Sequence, residues 1–173
     1  MRLQQPIWPR FLPSHLVIAC ATLGPIGRRL PAPGTWGSFA GLLYFTVFFY
    51  PLNIVETLLV SALAGYLAVA FCGEAEFRIG RKDPGEVILD EFVAMPLCFL
   101  GWRWLASPSH LWMVLLVGFA LFRFYDILKP LGIKRLQDLP AGWGIVIDDT
   151  VAALAACATM HLGKYLWLVA HGH

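Results

Sequence analysis

VILDEFVAMPLCFLG (87–101) is an apolar run with two carboxylates, Asp90 and Glu91, set inside it. An ionised carboxylate taken into a low-dielectric setting is strongly disfavoured unless a cation or a metal compensates for it. The pattern recurs. Asp126 lies within FALFRFYDILKP (119–130), and Asp148 with Asp149 within GWGIVIDDTVAALAA (142–156). Three apolar segments, far apart in the chain, each carry acid. One shared divalent cation is the simplest common partner for them.

The surrounding composition agrees with an apolar setting. Of 173 residues, 58% are hydrophobic and 14% charged, with a mean hydropathy of +0.67. These values point to a membrane protein. The net charge of +2 is too slight for a nucleic-acid binder. Residues 1–173 read as a single domain with an irregular N-terminus over 1–13. MRLQQPIWPRFLPSH (1–15) has too many prolines and too short an apolar region for a signal peptide. Cys20, Cys72, Cys98 and Cys157 show no metal-ligand spacing and read as reduced, small core residues.

The expected fold is all-α, a compact membrane-embedded or membrane-associated bundle of about five long helices. A short interfacial helix over 15–22 precedes a Gly/Pro-rich loop. Ser38 is placed as N-cap of a first long helix over 39–50, ended by Pro51. Asn53 and Glu56 fit a capping box for a second helix that runs to about Ile79, with Gly80 as its stop. Asp83-Pro84-Gly85-Glu86 reads as the start of a third, kinked at Pro96. A fourth is expected over 110–128 and a fifth over 145–168. The first is only about a dozen residues, against the ~20 needed to span a bilayer.

Charge sets the orientation. Arg10, Arg28 and Arg29 precede the first long helix. Arg78, Arg81 and Lys82 lie between the second and third, and Lys129, Lys134 and Arg135 between the fourth and fifth. The other turns carry no Lys or Arg apart from Arg103 and Lys164. The basic side is expected to be cytoplasmic. Thr35, Ser38, Asp83, Asp90, Glu91, Asp126, Asp148 and Asp149 all fall near that same end of their helices.

Each polar feature also has a plainer reading. Asp83 serves equally well as an N-cap; if the helix starts there, Asp83 and Asp90 share a face, and Glu91 is turned about 100° from Asp90. Arg123, Asp126 and Lys129, three apart, form either a self-neutralising ladder or a cationic seat for phosphate beside a metal-binding acid. Asp148-Asp149 also suits the positive end of a helix dipole. PGTWGS (33–38) leads into a helix start that suits an anion but equally makes a plain turn. IVIDDTV (145–151) lacks the alternating D-x-D of haloacid-dehalogenase phosphatases. Cys72 and Arg78 have the C-x5-R count of tyrosine phosphatases, but Glu74 and Glu76 between them would repel phosphate. Those two read as a solvated helix end in preference to a support for a metal. None of the five histidines has ligand spacing.

Taken together, APGTWGS (32–38), KDPGEVILDEFVA (82–94), FRFYDILKP (122–130) and GWGIVIDDTVAA (142–153) resemble the phosphatidylglycerophosphatase A family, in order over roughly residues 15–160. The resemblance implies an all-α, Mg²⁺-dependent lipid phosphatase of the bacterial inner membrane. Its substrate would be phosphatidylglycerophosphate and its product phosphatidylglycerol. By motif matching, Asp83, Asp90, Glu91, Asp126, Asp148 and Asp149 are the expected metal-site acids. Arg123, Lys129 and Thr35, with Ser38 in the same motif, are expected near the phosphate. Asp90, Glu91, Asp126, Lys129 and Arg123 form the expected catalytic set. Pro96 departs from the family pattern. The rival reading is a small transporter or ion-relay bundle, whose acids should be spread through the bilayer depth. Expected partners are the lipid substrate and membrane lipids, with no nucleic acid; a homo-oligomer is left open.

Overall fold

The computed structural model describes residues 5–130 and 132–172. Residues 1–4, Leu131 and His173 lie outside the described residues. With them go the first part of the irregular N-terminus, the first residue of the 131–144 loop and the last of the five histidines. The described residues form helices α1 (Ser14–Ala21), α2 (Ile26–Arg29), α3 (Pro33–Tyr44) and α4 (Ile54–Ile79). These are followed by α5 (Leu89–Ala94), α6 (Trp102–Leu105), α7 (Leu111–Leu128) and α8 (Gly142–Ala170), with short 3-10 turns between some of them. The all-α expectation agrees with this architecture. The expectation of five long helices does not: among the described residues three segments, Ile54–Ile79, Pro108–Leu128 and Gly142–Ala170, of 26, 21 and 29 residues, are long and apolar enough to cross a membrane.

α4 is built by local rules. The Asn53 side chain accepts from Glu56 N at 3.0 Å, and Glu56 reaches back to Asn53 N at 2.9 Å, closing the capping box. Gly80, at φ 75°, ends the helix in the left-handed region that glycine enters freely.

α3 corrects the expected first helix. It begins at Pro33, five residues before Ser38, with proline at the first helical position. Ser38 is therefore not a cap; it is fully buried inside the helix and donates to Gly34 O at 2.8 Å. The helix continues through a π-helical turn, Phe45–Phe49, up to Pro51.

The third expected helix is corrected most. It does not start near Pro84, because Asp83 turns to φ 46° and Ile88 N is taken by Ala21 O at 2.9 Å, at the end of α1. α5 starts only at Leu89 and stops at Ala94, followed by the 3-10 turn Met95–Phe99 that carries Pro96. Asp83 and Asp90 thus share no helix face. This short element is the centre of the molecule: Ile88, Met95, Cys98 and Phe99 are at most 1% exposed. On one side Phe45, Phe49, Phe122 and Ala152 pack against it; on the other stand Val17, Val69, Ile145 and Val146.

α4 and α8 cross where Gly73 faces Gly142. A Cβ on Gly142 would run into Val69 O and stand 2.8 Å from Gly73 N. Gly142→Ala is expected to destabilise the fold by about 1–3 kcal/mol, since a backbone must move to admit one methyl. A thermal melt in detergent reads this directly.

Two cations hold chain segments together. Arg78 pairs with buried Glu74 at 2.8 Å and donates to Leu12 O and Pro9 O, both at 3.0 Å. Glu74 is thus no solvated helix end. Arg103 caps the α3 end through Leu52 O, Tyr50 O and Pro51 O, each at 3.1 Å. Exposed Trp104, Trp112, Tyr165 and Trp167 cluster near the same end, the placement of an interfacial aromatic belt.

Candidate metal centre

At the other end of the bundle three helices deliver acids and cations to one place. The first turn of α5 supplies Asp90 and Glu91, the last turn of α7 supplies Asp126, and the second turn of α8 supplies Asp148 and Asp149. One oxygen each from Asp90, Glu91 and Asp149 lies within 4.8 Å of the others. An octahedral Mg²⁺, with ligands at about 2.1 Å, places opposite oxygens about 4.2 Å apart, so small side-chain turns would close the set.

Two cations stand beside these acids. Arg123 Nη1 donates to Asp126 Oδ2 at 2.7 Å and to Ser38 Oγ at 3.2 Å, and lies 3.7 Å from Glu91 Oε1. Lys129 Nζ bonds Asp148 Oδ2 and lies 3.9 Å from Asp126 Oδ1. Lys129 reaches inward because it takes a left-handed conformation, φ 44°, as the C-cap of α7. The two cations leave three of the five acids without a matching positive charge.

That imbalance shows in the hydrogen bonding. Among the described residues Asp90 Oδ1, Glu91 Oε2 and Asp148 Oδ1 are buried and find no partner. Buried acceptors are nearly always satisfied, so orphaned oxygens converging from two helices, α5 and α8, fit a hard cation. Burial, then the charges of Glu91 and Asp83, push the Asp90 carboxyl well above the usual range. Burial pushes Glu91 up to about 8, with Asp126 adding to the rise and Arg123 opposing it. For Lys129, burial lowers the pKa, but the hydrogen bond and charge of Asp148 outweigh it and the net shift is upward.

Glu91 is positioned by glycine. A Cβ on Gly34 would run into Glu91 Oε1, and one on Gly37 would stand 3.0 Å from Glu91 Oε2. The glycines of the α3 start therefore admit the acid to the helix surface, a role that sequence reading alone missed. Their spacing, three from Gly34 to Gly37 and then four to Gly41, keeps them on one helix face and was the available signal.

Not every expected residue joins the cluster. Asp83 is exposed and accepts from Gln137 Nε2 at 3.2 Å, while its backbone N–H donates to Glu76 at 3.3 Å. It stands outside the Asp90, Glu91 and Asp149 trio, near enough for its charge to act on Asp90. Thr35 is exposed in the first turn of α3. Ser38 meets Arg123 and Gly34 rather than open space.

The raised carboxyls have a measurable consequence. An acid whose folded pKa is raised holds a proton that the unfolded chain has released, so stability falls as pH rises between the two values. In the metal-free protein stability should fall from the usual carboxylate range up to about 8, the Glu91 value. A cation competes with those protons, so its apparent affinity should rise over the same window. Titration of Mg²⁺ by calorimetry in two buffers of different ionisation heat should show proton release on binding.

Comparison with known proteins matches a stretch of the chain that contains all of these residues. The model of the family described as phosphatidylglycerophosphatase A matches residues 19–164. A phosphatidylglycerophosphatase A of Haemophilus influenzae is 37% identical over 140 residues, covering 80% of this chain and 82% of that relative. The Escherichia coli phosphatidylglycerophosphatase A is 29% identical over 137 residues, covering 78% and 76%. A protein of Bacteroides thetaiotaomicron with the provisional name phosphatidylinositol-3-phosphatase is 27% identical over 161 residues, covering 89% and 97%. No solved structure gives a significant match.

Proposed function

The chain belongs to the phosphatidylglycerophosphatase A family, and from that premise we propose that it hydrolyses phosphatidylglycerophosphate to phosphatidylglycerol with Mg²⁺. The reaction would take place at the cytoplasmic surface of the bacterial inner membrane. The observation that carries the reading is the set of orphaned carboxylate oxygens from α5 and α8 beside Arg123 and Lys129.

Asp90, Glu91 and Asp149 would hold the ion, with Asp126 and Asp148 close by and Asp83 at the rim. When bound, Mg²⁺ supplies polarisation of the phosphoryl group and a lowered pKa for an attacking water. Arg123 and Lys129 would orient the non-bridging oxygens and offset the charge that gathers on them. Thr35, exposed at the α3 start, would meet the headgroup. Asp90 or Glu91 would accept the proton of the water whose oxygen bonds to phosphorus. The phosphorus–oxygen bond to glycerol then breaks, and the leaving oxygen takes up a proton.

The ion-relay reading is less well supported. A relay needs acids through the depth of the bilayer. Here the acids without a local structural role lie at one end, while Glu56 at the other is committed to the α4 capping box.

Purified protein reconstituted in vesicles should release phosphate from phosphatidylglycerophosphate in Mg²⁺ and stop in EDTA. Parallel vesicles with phosphatidic acid and with phosphatidylinositol 3-phosphate test the headgroup preference. No release from phosphatidylglycerophosphate in excess Mg²⁺ would overturn the assignment.

A further inference from the structure

α7 and α8 part at the end of the bundle away from the acids, around a cavity of about 620 Å³. Val117 and Leu121 of α7 line it against Thr159, Met160 and Gly163 of α8, and Ser107, His110 and Lys164 stand at its mouth. Both helices belong to segments long and apolar enough to cross a membrane, and exposed Met113 and Val117 along the cavity put its opening on the lipid side. The wall is apolar in chemistry as well as in position. The Thr159 hydroxyl donates to Ala155 O at 2.8 Å and meets Tyr125 OH at 2.7 Å, so it is already satisfied. The mouth is different. Lys164 holds its ammonium 4.8 Å from the Trp167 ring centre, and no carboxylate among the described residues lies within ion-pair distance of it. Glu56, the acid of that end, is committed to the α4 cap. The hydroxyls of Ser107 and Ser109 meet His110 Nδ1 at 3.0 and 3.1 Å. With that nitrogen as acceptor the ring proton sits on Nε2, a donor available to an anion.

Dimensions choose the occupant. From His110 to Leu121 the cavity follows α7 for about 16 Å, close to half of the ~30 Å hydrocarbon core and so to the depth of one leaflet. Spread over that length, 620 Å³ leaves a cross-section of roughly 40 Å². A helix, ~10 Å across with its side chains, takes roughly 80 Å² and does not enter. Acyl chains are thinner, and an anionic phospholipid also brings the negative charge that Lys164 lacks.

We propose that this cavity binds one anionic phospholipid of the leaflet opposite the acid cluster, with an acyl chain beside Val117 and Leu121 and the phosphate at the mouth, against Lys164 and His110. Exposed Trp104, Trp112 and Trp167 belong to the same end, which puts that phosphate at the level of the headgroups. The acids that would hold Mg²⁺ are at the far end of α7 and α8, so this lipid is a resident of the fold and not the molecule hydrolysed.

Photolabelling in vesicles tests this. EDTA is present throughout, so no turnover is involved and the phosphatase assignment does not bear on the outcome. Two probes carry the same diazirine-tagged acyl chain, one on phosphatidylglycerol and one on phosphatidylcholine. Label on residues 113–121 and 159–163 is read by peptide mass spectrometry against label on α4 as the bulk-lipid reference. It should favour the phosphatidylglycerol probe about fivefold, the effect of one lysine meeting one net negative charge at the membrane surface. Lys164→Gln should abolish that preference. Gly163→Leu, which fills the cavity, should lower the label on both segments about tenfold. Its helical circular dichroism should stay intact, because a Cβ at Gly163 meets no atom within 4 Å. Equal label from the two probes, a preference that survives Lys164→Gln, or label indifferent to Gly163→Leu would each overturn the proposal.

Discussion

Replacing Asp149 by asparagine should lower phosphate release by about three orders of magnitude while raising the melting temperature of the metal-free protein. Asp149 is 3% exposed, and no Lys or Arg among the described residues lies within ion-pair distance of it. Its oxygen belongs to the trio within 4.8 Å. Asparagine keeps the shape but removes a charge that Mg²⁺ would need. It also relieves the repulsion among the neighbouring acids, which is why the empty protein should gain stability. Thermal melts at mildly alkaline pH, with and without Mg²⁺, separate the two effects. The unaltered protein should gain from the ion, and the variant should gain little. A variant that kept Mg²⁺-dependent turnover would remove Asp149 from the proposed site.

Arg123→Lys should cost about a hundredfold in kcat/KM although it keeps the charge. The Arg123 guanidinium binds Ser38 Oγ and Asp126 Oδ2 while standing 3.7 Å from Glu91. An ammonium group is a point donor on a shorter reach and cannot keep that arrangement together with a phosphate oxygen. The loss should lie in the rate as well as in substrate binding, because the fork would act most strongly on charge that develops in the transition state. Steady-state kinetics on mixed vesicles reads both constants. Unchanged kcat/KM in Arg123→Lys would assign the residue to holding Asp126 and Ser38 in place.

The first feature visible in the chain was electrostatic: acids in greasy segments at 90, 91, 126, 148 and 149. Their convergence was legible because each sits at the same end of its helix, and the order of helices and turns follows from hydrophobic runs and breakers. The Asn53–Glu56 cap and the Gly80 stop are three- and four-residue rules, and the structure follows them. The start of α5 was not legible. Asp83-Pro84-Gly85-Glu86 has the residues of a helix start, but Ile88 N is taken by Ala21 O, 67 positions earlier, and no local pattern encodes that partner. Ser38 misled for a related reason. It looks like a cap until Gly34 and Gly37 are seen pressed against Glu91, which makes the helix start at Pro33 serve the neighbouring acid.

Sequence alone therefore determined the family motifs, the all-α class and the identity of the acids, because composition, periodicity and capping act over a few residues. Only the tertiary structure decided that three helices rather than five are long enough to cross a membrane, that 87–99 is the buried centre, and that Asp90, Glu91 and Asp149 meet while Asp83 stands outside. Those outcomes depend on which distant backbone groups and side chains compete for the same space. That competition is settled by packing and long-range hydrogen bonds, which leave no local mark in the chain.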